Sequence, residues 1–485
     1  MNRIFPLLVL FYAIPAFAAE DVQPNFIFIL ADDCSYRDLE LYGGPAKTPH
    51  INELASQGMT FNRCYQSAPM CSPTRHALYT GLYPVKSGAY PNHAQAYGHV
   101  KSIPHYLGEM GYRVALAGKT HVDPKSVFPF EYINEFADPI DEDVPLIDGW
   151  RYPEVHRLLQ DSAEGETPFC LFLCSNEPHG PYTKGDPSIY RNAEMSPQQL
   201  DYHRSEYEKY LAEITYFDGQ VGEVLEMLDE LHLRNDTLVI VATEQGSSFP
   251  FGKWTCYEIG VASGLIASWP DKIEAGVESD AIVEYTDVVP TFLDIAGAEI
   301  PVFDADAAAK GRAVLPGRTT SPGRIGVKKL DGCSFFDVLT GGSAFHSDYA
   351  FSLQTTRGVN GYKEPYGIRS IVGQQYRYIR NLFPENEFSI PSSRRVYDRT
   401  RNMDEESRQF ADSYLNRPAE ELYDIIHDPY CQNNLIENEQ LSGIKNELAR
   451  ELNEWMRDQE DSGRQVELDA YDHQADWRKS QHNNN

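Results

Sequence analysis

The sequence predicts an α/β fold: a mostly parallel central sheet between helical layers, followed by a smaller C-terminal α+β subdomain. Three observations carry this. Residues 25–30, 113–117, 168–174 and 237–243 are short, nearly uninterrupted apolar runs rich in β-branched and aromatic side chains, the pattern of strands buried on both faces. The stretches between them include helical patterns; within 196–233, Val221, Val224, Leu225, Leu228 and Leu231 form an i, i+3, i+4 stripe. Finally, each run ends in charged or imidazole side chains. Parallel strands joined by helices bring those ends to one sheet edge, where open α/β sheets hold their ligands. Asp32, Asp33, Lys119, His121, His179, Glu244 and Gln245 are therefore expected to converge.

The remaining elements follow in chain order. Met1-Asn2-Arg3, the apolar run 4–17 and Ala16-Phe17-Ala18 read as a signal peptide over 1–19, hence an exported protein. Residues 48–61 read as a capped helix with a glycine stop. Residues 263–269 resemble another strand, 286–297 a helix closed by glycine, and 304–327 an exposed loop. A hairpin is expected from 367–372 and 375–381, with an irregular polar stretch over 384–412 and an amphipathic helix over 441–459. The expected organisation is a catalytic domain at 20–349, an α+β subdomain at 350–475 and a polar tail at 476–485.

Composition narrows the function. The chain has 485 residues, 41% hydrophobic and 12% aromatic, as in a globular protein, and no later segment is apolar enough to span a membrane. A net charge of −30 argues against nucleic acid or an anionic membrane as partner. Eight cysteines are too few for a disulfide framework at this length, and Cys170 and Cys174 sit inside an apolar run, as core residues do. No Cys/His cluster has zinc spacing.

Asp32, Asp33, Glu244 and the amide oxygen of Gln245 are hard oxygen ligands, suited to a divalent cation, calcium more readily than magnesium. Arg75, Lys119, His121, His179 and Lys253 supply cations and proton donors, a set that fits an oxyanion whose charge develops in a transition state.

Between the first two strands stands Cys71-Ser72-Pro73-Thr74-Arg75. Cys-x-Pro-x-Arg resembles the signature by which sulfatases mark a cysteine for oxidation to formylglycine. In order along the chain, Ala31-Asp32-Asp33, Cys71 to Arg75, Gly118-Lys119-x-His121, Pro178-His179, Glu244-Gln245-Gly246 with Lys253, and Glu421-Leu422-Tyr423-Asp424 before Asp428-Pro429 all resemble motifs of the formylglycine-dependent sulfatases. Gly118-Lys119-Thr120-His121-Val122, Val127-Phe128-Pro129-Phe130 and residues 235–240 are similar to the heparan N-sulfatase (sulfamidase) branch.

The resemblance implies an alkaline-phosphatase-like α/β/α sandwich and a sulfated glycan substrate. It also implies a maturation enzyme that converts Cys71 to formylglycine, and a metal held by Asp32, Asp33, Glu244, Gln245 and the matured residue 71. A hydroxyl of the formylglycine hydrate, steadied by Arg75, would attack sulfur while Lys119 and Lys253 neutralise sulfate oxygens. His179 would protonate the leaving group, and His121 would take the proton of the second hydroxyl. The family usually has Asp-Asn or Asp-His where this chain has Glu244-Gln245. Each is one methylene longer than the Asp-Asn form, which implies a shifted metal or loop. His93, His99 and Arg151 are candidate sugar contacts, each of a kind found more often as ordinary surface. The competing readings are a phosphate or phosphonate ester hydrolase of the same superfamily, and a non-catalytic glycan-binding protein.

Overall fold

Alternation along the first apolar run decides the layers. The computed structural model describes residues 23–136, 153–165, 167–197, 201–298 and 330–474. In the strand β1, Asn25–Ala31, Phe26, Phe28 and Leu30 point into one core while Ile27, Ile29 and Ala31 point into another. Both faces are dry, as a central parallel strand requires. The first core is closed by helices Cys71–Thr80, Ile103–Glu109 and Val288–Ile295, the second by Pro49–Ser56, Pro153–Gly165 and the long helix Arg204–Glu230. The result is three layers, α/β/α.

The other strands of this sheet are β2 (Met59–Tyr65), β3 (Arg113–Lys119), β4 (Glu131–Phe136), β5 (Phe169–Cys174), β6 (Thr237–Thr243), β7 (Ala262–Ser268), β8 (Val277–Ser279) and β9 (Val283–Glu284). They form a nine-stranded sheet in the order β4-β3-β5-β1-β6-β7-β2-β8, with β9 also on β2. Among the described residues only β7 runs against the rest of this sheet. Register matters more than order. Leu30 pairs with Cys174, Gly118 with Cys174 and Ala31 with Thr243, so four parallel strands stop at the same height.

A second, antiparallel sheet follows: β10 (Ala350–Gln354), β11 (Ile368–Val372), β12 (Tyr376–Asn381) and β13 (Glu420–Asp424), in that order. Helix Ser442–Asp458 covers one face through Leu448, Leu452 and Trp455. The two sheets share a core in which Tyr65, Met70, Phe251, Trp254 and Tyr257 pack with Ile368, Phe388, Tyr414 and Tyr423.

Three sequence expectations need correction. The helix expected over 48–61 ends at Ser56, and Met59–Tyr65 is a strand, because Gly58 stops the helix where the β-rich run Met59-Thr60-Phe61 begins. Residues 384–412 are not irregular: helices Pro391–Thr400 and Glu405–Leu415 lie there, the second capped by the Asp404 side chain accepting from Ser407 N. The long helix begins at Arg204 rather than near 196. The proposed signal peptide, the loop 304–327, Arg151 and the tail 476–485 lie outside the described residues. Among the described residues no helix is long and apolar enough to cross a membrane.

Candidate active site

The common height of β1, β3, β5 and β6 delivers the expected convergence. Asp32 and Asp33 leave β1, Lys119 ends β3, and Glu244 and Gln245 leave β6. Backbone bonds lock the edge: Glu244 N donates to Ala31 O at 2.9 Å, Asp32 N to Glu177 O at 2.9 Å, and Ser175 N to Leu30 O at 2.9 Å. Helix Cys71–Thr80, buried over its whole length, presents Cys71 at its first position above this edge.

Cys71 Sγ is the centre. Lys253 Nζ lies 3.2 Å from it and Gln245 Nε2 3.3 Å. Ligand atoms of Asp32, Asp33 and Cys71 all lie within 4.8 Å of one another. Lys119 Nζ donates to Asp32 Oδ2, and Lys253 Nζ donates to Asp33 Oδ2 at 2.8 Å. Arg75 forms a fork on Glu244, Nε to Oε1 at 2.9 Å and Nη2 to Oε2 at 2.8 Å, and its Nη1 donates to Lys119 O at 2.7 Å. His179 Nε2 stands 3.6 Å from Asp33 Oδ2, while its Nδ1–H donates to Gly180 O at 2.8 Å.

Lys253 reaches the site because its loop folds back: Lys253 N donates to Ser247 O at 2.8 Å and Trp254 N to Pro69 O at 3.0 Å. Two glycines make that possible, since a Cβ on Gly246 would lie 2.0 Å from Ile259 O and one on Gly252 2.3 Å from Ser247 O. Asp33, His93, His121 and Gln245 adopt positive φ (56°, 55°, 50° and 37°), backbone strain gathered at one place.

The electrostatics are those of a closed cluster, three carboxylates against Arg75, Lys119 and Lys253, all buried. Burial opposes the charge of Asp32, yet Lys119, with His179 and Arg75, holds it well below the usual carboxylate range. Burial likewise opposes the ammonium of Lys253, but Asp33 keeps it protonated. Burial pushes the Cys71 thiol up despite Lys119 and Lys253, so Cys71 as cysteine is no thiolate nucleophile. Burial holds both His121 and His179 below the ordinary imidazole range, with His93 the next cause at His121.

Two buried oxygens in this cluster, Asp32 Oδ1 and Gln245 Oε1, accept no hydrogen bond. Asp32 Oδ1 beside the second carboxylate Asp33 fits a hard cation; the Gln245 amide turns its Nε2 to Asp33 Oδ1, so its oxygen joins the set on exchange of the two ends of the amide. Glu244 contributes its charge from behind, with both oxygens bonded to Arg75.

Every sequence-predicted site residue within the described part meets here except His99, which is exposed and stacked on Tyr97 with ring centroids 5.7 Å apart. His93, read as a candidate sugar contact or an ordinary surface residue, is instead buried against His121. That pairing had no sequence signal, because a separation of 28 positions carries no period that sets their distance.

Fold and site together define a class: a hydrolase of tetrahedral oxyanion esters on an alkaline-phosphatase-like frame, with hard-cation ligands and buried lysines around one reactive position. The family model described as Sulfatase matches residues 24–298. An ulvan-active sulfatase of Formosa agariphila is 30% identical over 446 residues, covering 90% of this chain and 81% of the relative. The N-sulphoglucosamine sulphohydrolase of Homo sapiens is 26% identical over 479 residues, covering 89% of each chain. Among solved structures, a protein in complex with its substrate D-glucosamine-2-N,6-O-disulfate superposes with TM-score 0.66 at 19% identity, covering 91% of this chain and 99% of that one. The chain belongs to the sulfatase family and is a sulfuric ester hydrolase; that membership implies a formylglycine and a divalent metal.

Proposed function

We propose that this protein is exported and removes sulfate from a sulfated carbohydrate, with residue 71 as the formylglycine and calcium as the metal. The observation that carries the reading is the meeting of Asp32, Asp33, Lys253 and Gln245 around Cys71 Sγ at one strand-end edge. The glycan assignment draws on the relatives that act on ulvan or are named for N-sulphoglucosamine. Residues 20–349 are read as the catalytic domain and 350–475 as the subdomain bracing it.

Asp32, Asp33 and Gln245 Oε1 would hold the cation, and Glu244 would add charge through Arg75. Formylglycine supplies, as its hydrate, a hydroxyl nucleophile, and the cation supplies positive charge against the sulfate oxygens. Lys119 and Lys253, whose ammonium groups sit on Asp32 and Asp33, would neutralise sulfate oxygens. His179 keeps Nδ1–H on Gly180 O, so Nε2, on the side of Asp33, is the atom that would carry a second proton to the departing oxygen or nitrogen; burial disfavours that imidazolium and Asp33 favours it. His121 takes the proton that must leave the second hydroxyl before sulfate departs.

A panel of defined heparan, chondroitin and ulvan oligosaccharides tests this by release of inorganic sulfate, alongside 4-nitrophenyl sulfate and phosphate. Sulfate release with little phosphate release is expected; preferred phosphate hydrolysis would establish the phosphoesterase reading. Mass spectrometry of the peptide containing residue 71 is expected to show an aldehyde, and an unmodified thiol with no sulfate release would point to a glycan-binding protein. Cleavage of N-sulfate in preference to O-sulfate would assign the sulfamidase branch.

A further inference from the structure

His121 has a partner that the proposed chemistry leaves unexplained. Its Nε2 lies 2.9 Å from His93 Nδ1, with ring centroids 4.7 Å apart. His121 is neutral, since burial, His93 and the nearby Lys119 and Arg75 all disfavour its cation. A neutral ring carries one N–H. Its Nδ1 is buried and makes no hydrogen bond. A buried N–H without an acceptor is rarer than a buried lone pair without a donor. The hydrogen therefore sits on Nε2 and is donated to His93 Nδ1, which leaves a bare lone pair at His121 Nδ1. His93 then carries its own hydrogen on Nε2.

His93 is held from two directions. Its φ is +55°, and Ala94 N donates to Ser72 Oγ at 3.1 Å, tying the loop to the residue beside Cys71. From the other side comes the C-terminal segment: Ala94 bridges Gln474, and Gln95 N donates to His473 O at 3.0 Å. The fully buried Gln474 donates through Nε2 to Asn92 O at 3.0 Å and to Gly358 O at 2.9 Å.

We propose that His93 is a positioning residue that fixes the tautomer of His121, making Nδ1 the proton acceptor, and that Gln474 holds His93 in register. This rests on the reading of His121 as acceptor of the second hydroxyl's proton. A neutral imidazole accepts only at its unprotonated nitrogen, and the bond at the other nitrogen decides which that is. A sugar-contacting His93 would instead act on substrate affinity.

The test uses the full matured chain, ¹⁵N-labelled at histidine, with variants His93→Ala, His93→Asn, Gln474→Ala and His121→Ala. The ring signal lost in His121→Ala identifies His121. It is expected as the Nε2–H tautomer in the parent, as a mixture in His93→Ala, and restored in His93→Asn, whose amide oxygen can accept the same hydrogen. With 4-nitrophenyl sulfate, His93→Ala is expected to lower kcat by roughly 10–100-fold with KM little changed, as loss of an outer partner of a functional histidine does. His93→Asn should recover most of this, and Gln474→Ala should show a smaller loss of the same kind. A His121 tautomer indifferent to His93, or an effect confined to KM, overturns the inference. Unchanged kcat in His121→Ala overturns the proton-acceptor reading instead, and the tautomer measurement stands apart from it.

Discussion

Two sets of buried charges in this molecule look alike and are finished differently. In the C-terminal sheet, Arg369 donates through Nε and Nη2 to Asp461 and through Nη1 to Gln354 O and Ile368 O, and Asp461 also accepts from Gly463 N. Arg377 is equally complete: Nε and Nη2 donate to Glu258, and Nη1 donates to Ser370 Oγ and Cys256 O. At the strand-end edge, by contrast, Asp32 Oδ1, Gln245 Oε1 and His121 Nδ1 are buried with no hydrogen bond, amid positive-φ residues. Completed pairs fix a structure; bare acceptors clustered among buried cations leave room for a ligand or a proton. Bare atoms also occur in the C-terminal part, at Gln354, Asn381 and Arg417 for example; what marks the strand-end edge is that its bare acceptors gather around one cysteine and two lysines.

The comparison can be broken first at Cys71. Cys71→Ala is expected to lower sulfate release by about 10³-fold or more while leaving the unfolding midpoint close to that of the parent, because it removes the nucleophile and no completed pair. Steady-state kinetics beside a thermal melt decides it, and a large loss of stability would blur the division. The reverse holds for Arg369→Ala, which strands a buried Asp461 and is expected to cost about 3–5 kcal/mol in denaturant unfolding. Adding Asp461→Leu to Arg369→Met should recover much of that.

Metal sharpens the contrast. A chelator is expected to abolish sulfate release and lower the melting temperature, and calcium at about 100-fold above its Kd should restore about 2.7 kcal/mol. Gln245→Leu should weaken that calcium response and leave the metal-depleted protein as stable as the parent. The smallest effect belongs to Glu467, which accepts from Thr356 N, Arg357 N and Tyr366 N and is pushed up to about 7 by burial. A carboxyl raised in the folded state favours folding while protonated. Its contribution is therefore full below the unfolded value of about 4.3 and is lost as pH rises through about 7, by about 1–3 kcal/mol. Glu467→Gln should flatten that slope in pH-dependent denaturant melts; an unchanged slope would exclude Glu467 as its source.

Much of the site was legible because periodicity and strand-end chemistry are local. Continuous apolar runs identified β1, β3, β5 and β6, and the rule that parallel strands share an edge did the rest. What stayed hidden was non-local. β2 was absorbed into the preceding helix because Met59-Thr60-Phe61 is also acceptable as a helix tail. Pro391–Thr400 and Glu405–Leu415 are polar helices whose burial comes from a few residues such as Ser393, Ala411 and Tyr414, too sparse to give a stripe. The fork of Arg75 on Glu244 and the contact of His93 with His121 depend on backbone paths that no spacing encodes.

The shared core between the sheets has a wider consequence. Met70, which precedes Cys71, and Phe251 and Trp254, which flank Lys253, rest on side chains of the second sheet and its helices, Phe251 against Tyr414 with ring centroids 4.5 Å apart. The C-terminal part is thus the floor on which the reactive position stands. Loosening the second sheet would remove the surface on which Met70, Phe251 and Trp254 pack, so residues with no chemical role, Tyr414 and Phe388 among them, become conditions of catalysis.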